Sequence, residues 1–183
     1  LLFNFDPVSN LGVPNYSVGV GPTIAALDGQ LIICYGDGST PICLNGLNGS
    51  KIGEINLGNA IAGSVTNDEA ENLLIVNHAN AGETVNIYRT ASTKDVPTLF
   101  HSFTNLSTFP MGSKMKVIGD IDEDAIIVIP NEGISGVSSC NEFTAIQVRN
   151  SVIASVESIN IANPGIAWGG APVNTAGIAA ADI

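Results

Sequence analysis

Short apolar segments separated by glycine-rich or acidic turns run along this chain, and a unit of four such segments recurs. Each unit begins with a strand of small residues and a turn, and continues with an apolar strand, a polar loop and two further short strands. The apolar second strand starts at Leu31, Leu73, Ala125 and Ile178, at intervals of roughly 40 to 50 residues. Repeats of this length with four strands each are typical of β-propeller blades. The sequence therefore predicts an all-β fold of four-stranded antiparallel blades.

The alternation of apolar and polar residues divides three complete units into strands. The third strands of the second and third units alternate most clearly, as half-exposed outer strands do. The predicted strands are 18–26, 30–35, 41–44 and 51–57 in the first blade, 61–65, 72–77, 84–89 and 98–103 in the second, and 114–118, 125–129, 143–148 and 153–159 in the third.

Both ends of the sequence carry strands of incomplete units. Residues 1–6 are similar to residues 98–103, the outer strand of the second blade, and residues 165–183 supply a first strand and the beginning of a second. We therefore expect about three and a half blades in a single domain, 1–183. An open arc leaves unpaired sheet edges, so the arc is either part of a larger propeller or closes as a four-bladed ring with residues 1–6. We favour the larger propeller, because the last segment stops within a strand.

The charge of the chain narrows the range of partners. Its 183 residues include 17 acidic and 6 basic side chains, which gives a formal net charge of −11. Such a surface repels phosphate backbones, which argues against a nucleic-acid partner and leaves sugars, cations and basic protein surfaces. The absence of any apolar run near the roughly 18 residues of a membrane span argues against a transmembrane helix.

Two cysteines, Cys34 and Cys43, flank the predicted hairpin loop at residues 37–40. If that loop closes the hairpin, the two residues lie directly opposite each other, nearly close enough for a disulfide. The alternative is a pair of buried thiols, since cysteine commonly packs as a small hydrophobic residue.

The acidic turn and apolar strand at residues 64–76 resemble the repeats of NHL-like propellers. Residues 86–90, 95–100 and 116–120 are similar to secreted propellers of Bacteroidota, many of them surface lipoproteins. The resemblance implies an extracytoplasmic protein, either secreted or held at the outer surface as a lipoprotein. It carries no catalytic residues over to this chain.

The longer loops are expected on one face of a propeller, and loops on a rigid scaffold commonly carry binding groups. Aromatic faces beside amides and carboxylates suit sugar rings. The competing interpretations are that Trp168 fills a space between blades and that His78 is a turn residue. The candidate ligand-binding residues are Tyr16, Asn77, His78, Asn80, Glu83, Asn131, Glu132 and Trp168.

Three alternating carboxylates, those of Asp120, Asp122 and Asp124, lie in a predicted turn on the opposite face. Calcium prefers several oxygen ligands, so these side chains are candidate calcium ligands. The segment lacks the downstream Gly and Glu of an EF-hand loop, and a solvated acidic turn is the competing interpretation.

Motifs of serine hydrolases, phosphate-binding loops and zinc enzymes are missing from the sequence. We therefore expect a non-catalytic extracytoplasmic propeller that binds a glycan or a cell-surface partner protein, with the remaining half of the propeller as a further possible partner. The alternative is a glycoside hydrolase or lyase whose carboxylates, such as Glu83 and Glu132, face each other across a pore shared with other blades. A purely structural spacer is a third hypothesis.

Overall fold

All regular elements of the computed structural model are β-strands, within the residues that the structure describes, 22–35, 40–58, 61–131 and 142–160. None of these residues belongs to a helix long and apolar enough to cross a lipid bilayer. The described strands form three antiparallel sheets of four consecutive strands each. The first sheet contains β1 (Thr23–Leu27), β2 (Gln30–Cys34), β3 (Ile42–Asn45) and β4 (Lys51–Glu54). The second contains β5 (Ser64–Asn67), β6 (Leu73–Val76), β7 (Thr84–Thr90) and β8 (Thr98–Thr104). The third contains β9 (Lys116–Gly119), β10 (Ala125–Pro130), β11 (Glu142–Arg149) and β12 (Val152–Asn160).

The predicted all-β fold of four-stranded antiparallel units is confirmed for these three sheets. The first strands of the second and third sheets begin two or three residues later than predicted. The predicted ranges included Ala62 and Met115, which are buried in contacts between sheets rather than paired in strands. The predicted strand 1–6, residues 18–21 and the partial unit 165–183 lie outside the described residues.

Apolar layers between the sheets form most of the core. One cluster joins the first sheet to the second, and another joins the second sheet to the third. The strand β6 is buried on both faces, because Leu73 and Ile75 belong to the first cluster while Leu74 and Val76 belong to the second. A strand with two buried faces reads as a continuous apolar run, which explains the unbroken pattern of β6. The first strands also lie side by side, since β1 contacts β5 and β5 contacts β9.

The cysteines do not lie opposite each other, so that prediction is wrong. Cys43 pairs with Ile32, and the β2–β3 ladder ends at the pair of Ile33 and Ile42, so Cys34 lies beyond the last pair. Both cysteines are buried thiols, which confirms the alternative interpretation. Burial raises the pKa of Cys43 to about 11, so its side chain stays protonated and packs as an apolar group.

Candidate functional site

The chain path separates two kinds of connection, because alternate turns of an antiparallel meander fall at opposite ends of the sheet. We call the two ends the turn face and the loop face. The turn face consists of residues 28–29, 46–50, 68–72, 91–97, 120–124 and 150–151. The loop face consists of residues 35, 40–41, 55–58, 61–63, 77–83, 105–115 and 131.

Main-chain pairing fastens the loop face between the second and third sheets. The N–H of Ala79 donates to the carbonyl of Met111 at 2.9 Å, and the N–H of Met111 donates back to Ala79 at 3.0 Å. Met111 also forms a bridge to Asn131, at the end of β10. The loop that follows β6, the connection from β8 to β9 and the end of β10 therefore form one continuous surface.

Two glycines allow the backbones of this surface to approach closely. Gly112 has φ of 105°, and a β-carbon there would lie 2.0 Å from the carbonyl oxygen of Asn77. A β-carbon on Gly63 would lie 2.6 Å from the amide nitrogen of His78. The buried hydroxyl of Ser64 donates to the carbonyl of Gly112 at 2.9 Å, which locks the two connections together. The repeated Gly-Ser pair in the connections between units was the sequence signal for these contacts.

Asn105 is a structural residue of the loop face that the sequence reasoning missed. Its side chain is fully buried. The amide nitrogen donates to the carbonyls of Phe109 at 2.9 Å and Ala79 at 3.2 Å, while the amide oxygen accepts from the N–H of Ser107 at 3.0 Å. Asn105 thereby holds the β8–β9 connection in shape and ties it to the β6–β7 loop. An asparagine directly after an exposed outer strand was the only sign of this role.

Glu83 and Asn80 close a tight turn at the tip of the β6–β7 loop. The carboxylate of Glu83 accepts from the backbone N–H of Asn80 at 2.7 Å and from its side-chain amide at 3.1 Å. These bonds stabilise the charged form, so the pKa of Glu83 lies below its ordinary value. Both side chains face solvent. Glu83 is therefore an ionised acceptor at neutral pH.

Asn77 braces the base of the same loop. Its amide oxygen accepts from the N–H of Asn86 at 2.6 Å, and its amide nitrogen donates to the carbonyl of Thr84 at 3.0 Å. His78 is exposed beside it. The structure thus brings the predicted residues Asn77, His78, Asn80 and Glu83 together in one loop, with the first of them serving mainly to hold that loop.

Asn131 reaches the same surface through Met111, but its side chain is only 2% exposed. Neither polar atom of its amide finds a hydrogen-bond partner among the described residues. The other three predicted site residues, Tyr16, Glu132 and Trp168, lie outside the described residues.

Two aliphatic side chains stand out from the loop face into solvent. Leu106, in the β8–β9 connection, is 88% exposed, and Ile61, in the connection before β5, is 59% exposed. They accompany the exposed polar groups of Asn80 and Glu83. Exposed apolar groups beside polar ones are common in protein–protein interfaces.

Side-chain bonds make most of the joints between the sheets on the turn face, and one backbone bond, from the N–H of Glu69 to the carbonyl of Gly119 at 3.0 Å, also joins the second sheet to the third. The carboxylate of Asp28 accepts from the N–H of Thr93 at 2.8 Å and from its hydroxyl at 3.0 Å, which links the first sheet to the second and lowers the pKa of Asp28. The buried carboxylate of Asp68 accepts from the N–H of Ile121 at 3.2 Å and so links the second sheet to the third. Arg89 forms an ion pair with Asp122 across the same boundary.

The three carboxylates predicted as calcium ligands are all engaged in protein contacts. Asp120 accepts from the N–H of Asp122 at 2.8 Å, Asp122 pairs with Arg89, and Asp124 pairs with Arg149 at 3.0 Å. Within the described ranges, no three acidic, histidine or cysteine side chains are arranged to hold a metal ion. The calcium hypothesis stays a prediction without support from these contacts.

These observations define an all-β protein of stacked four-stranded sheets with a loop face joined by backbone bridges. The chain belongs to the family described as a domain of unknown function (DUF8500), whose model matches residues 1–182. The comparisons with curated proteins and with solved structures gave no match.

Proposed function

We propose that the three sheets are blades of a β-propeller and that the chain is a non-catalytic module that binds a macromolecular partner through its loop face. Three features support the propeller arrangement. Each sheet is a meander of four consecutive strands, the sheets stack through apolar layers, and the first strands of successive sheets are neighbours. Propellers commonly combine such blades around a central axis.

The continuous surface formed around Met111 is the observation that carries the binding proposal. The backbone pairs of Met111 with Ala79 and Asn131 hold three segments in fixed positions. The side chains of Leu106 and Asn80 then project from a rigid base, so their ordering on binding costs less entropy than on a mobile loop. A rigid surface with exposed apolar and polar groups is suited to recognition.

A partner protein fits the described part of this surface better than a glycan does. The almost fully exposed Leu106 offers an aliphatic contact, whereas sugar rings are usually held by exposed aromatic faces. Phe109, the aromatic residue of this surface among the described residues, is half-buried. Glycan binding remains part of the proposal through Tyr16 and Trp168, which are the aromatic candidates in the rest of the chain.

The structure gives no specific support for the alternative of a glycoside hydrolase or lyase. A general acid of such an enzyme needs a raised pKa so that it carries a proton at neutral pH. The pKa of Glu83 is lowered by its hydrogen bonds to Asn80, so this carboxylate is unsuited to that role.

We also propose, on the resemblance to surface propellers of Bacteroidota alone, that the module works outside the cytoplasm. A partner at the cell surface, including further blades of a larger propeller, would fit this location.

The test compares two leucines of nearly equal exposure on opposite faces. The purified chain is screened on a glycan array and against purified cell-surface proteins from its source, and each affinity found is measured by calorimetry. We expect Leu106→Asp to weaken binding about tenfold or more, as at a central interface residue. Leu47→Asp, at a turn-face position that is 84% exposed, is the matched control and should bind as the unmodified chain does.

Equal losses in the two variants would contradict the assignment of the site to the loop face. The absence of binding to every glycan and every surface protein would contradict the binding module itself. A glycan as the bound ligand would reverse our preference for a partner protein.

A further inference from the structure

One face of the third sheet carries a group of apolar side chains that is only partly covered, with Lys116 and Gln147 beside it. We call it the outer face, because the opposite face packs on the second sheet. On it, Ile118 and Ile126 pair with each other across neighbouring strands, and each is 39% exposed. Val128, Phe143 and Ala145 extend this face and are half-buried. An apolar sheet face of this kind usually packs against another layer of secondary structure.

The equivalent positions of the other two sheets are sealed. Leu74 and Val76 of β6 correspond to Ile126 and Val128 of β10, as counted from the start of each second strand, and both are fully buried under the third sheet. Ile32 lies on the corresponding face of β2 and is fully buried under the second sheet. The first two sheets are each covered by the sheet that follows in sequence, and the third sheet offers the same surface.

We propose that the outer face is the docking site for residues 165–183, which lie outside the described residues and for which the sequence predicts the first strands of a following unit. The chain moves from the last strand of one sheet to the first strand of the next between Glu54 and Ser64, and again between Thr104 and Lys116. These intervals are 64 − 54 = 10 and 116 − 104 = 12 residues, and the same intervals counted from Asn160 place the next first strand at residues 170–172. Residues 165–183 contain a single charged side chain, that of Asp182, which suits an apolar surface.

A recurring residue triplet supports this alignment. Ala62 and Met111 are each followed by a Gly-Ser pair, and the glycine of each pair closely approaches the backbone of the neighbouring loop. Both side chains are buried, at 0% and 1% exposure, where one sheet meets the next. Trp168 occupies the same place before Gly169 and Gly170. Docking at the outer face would therefore bury Trp168.

The single tryptophan of the chain makes the docking directly measurable. In the full-length chain we expect blue-shifted Trp168 emission, weak quenching by acrylamide, and slow amide hydrogen exchange in residues 172–180. Ile126→Glu places a charge in the contact, which should reduce the docked population by roughly tenfold or more. Its emission should shift to the red and its quenching should increase. Leu47→Glu, on the turn face, is the control and should change neither signal.

Two results would overturn the proposal. One is solvent-exposed Trp168 emission with fast exchange of residues 172–180 in the unmodified chain, a measurement that does not depend on any variant folding. The other is protection that appears only as dimers form in sedimentation runs at rising concentration, because the occupant would then be a second copy. Circular dichroism shows whether Ile126→Glu keeps the three sheets, and Ile118→Ser is the milder variant if it does not.

Discussion

The loop face and the turn face join the same sheets with different proportions of backbone and side-chain contacts. On the loop face, backbone pairs around Met111 and the close approach of Gly112 to Asn77 make the connection. On the turn face, the carboxylates of Asp28 and Asp68 reach across to backbone N–H groups of the adjacent sheet. Each face also contains the other kind of bond, since the hydroxyl of Ser64 donates to the carbonyl of Gly112 on the loop face and the N–H of Glu69 donates to the carbonyl of Gly119 on the turn face.

This difference bears on where function is found. Side chains that join the sheets, such as Asp28 and Asp68, already accept hydrogen bonds from the adjacent sheet. Their replacement therefore lowers the stability of the fold. The backbone pairs around Met111 do not depend on exposed side chains such as that of Leu106, which can vary without loss of the fold. We therefore expect substitutions at exposed loop-face positions to cost less stability than substitutions of the carboxylates that join the sheets on the turn face.

The largest effect is expected from Gly112→Ala. The new methyl group would lie 2.0 Å from the carbonyl oxygen of Asn77, at a φ of 105° that alanine rarely adopts. We expect a loss of about 3 kcal/mol or more in the free energy of unfolding, measured by urea denaturation.

The control is Gly82→Ala on the same face. Gly82 also has a positive φ, of 79°, but nothing lies within 4 Å of an added β-carbon. Its loss should stay near 1 kcal/mol. Similar losses in both variants would show that backbone strain alone is measured and that the close approach to Asn77 contributes little.

The next effect probes the turn face. Asp68→Ala removes the acceptor for the backbone N–H of Asn72 at 2.7 Å, for the Asn72 amide at 2.8 Å and for the N–H of Ile121 at 3.2 Å. Buried donors without acceptors are costly, so we expect a loss of about 2–3 kcal/mol. Glu69→Ala, at an exposed position with one bond to Gly119, should lose less than about 1 kcal/mol. Equal losses at the two positions would contradict this expectation, because burial would then not decide how strongly a turn-face carboxylate stabilises the fold.

The smallest effect is a pH dependence that arises between the two faces. His101 lies on β8 opposite Ile87 and stacks on Phe103 with ring centroids 5.9 Å apart. Its Nε2 is buried and has no hydrogen-bond partner among the described residues, and burial lowers the pKa of His101. The folded state therefore favours the neutral ring. The contribution of the neutral His101 ring to stability should be fully present above about pH 6.5, the pKa of histidine in an unfolded chain. It should be lost progressively as the pH falls toward the lower pKa of the folded state.

Unfolding curves at pH 7.5, 6.5 and 5.5 check this expectation. His101→Phe keeps an aromatic ring and should lose the pH dependence in that window. His78→Asn removes the exposed histidine and should keep it. A steep slope that survives in His101→Phe would place the titrating group elsewhere.

The strands were the most predictable part of this protein. The strand β6 is an unbroken apolar run because both of its faces are buried, and β7 alternates because only one face is buried. Both patterns could therefore be read from the local sequence. The starts of β5 and β9 were less predictable, because Ala62 and Met115 are apolar for packing between sheets and not for strand pairing. The offset between Cys34 and Cys43 is set by where the β2–β3 ladder ends, which composition does not encode.

The loop that carries four of the candidate residues was predicted better than the contacts that those residues make. The expectation that the longer loops lie on one face placed Asn77, His78, Asn80 and Glu83 together, and in the structure they lie in the loop between β6 and β7. Their roles depend on contacts over short distances, such as the bonds from Asn80 that hold Glu83 in its charged form. The importance of Asn105 was hidden for the same reason, since its three partners lie in two different segments.

Every strand in the described sheets pairs only with its neighbours in sequence. Each sheet is consequently encoded by one uninterrupted stretch of the gene. A duplication of that stretch would insert a complete sheet without changing the order in which the other strands pair. The joints at the two boundaries use different residues, since Asp28 accepts from Thr93 at the first and Asp68 accepts from Ile121 at the second, so a copied unit would have to adapt its connectors. Families built in this way can lengthen or shorten by whole units during evolution, and a protein engineer can exchange one unit for another by cutting the chain at the connections before β5 and β9.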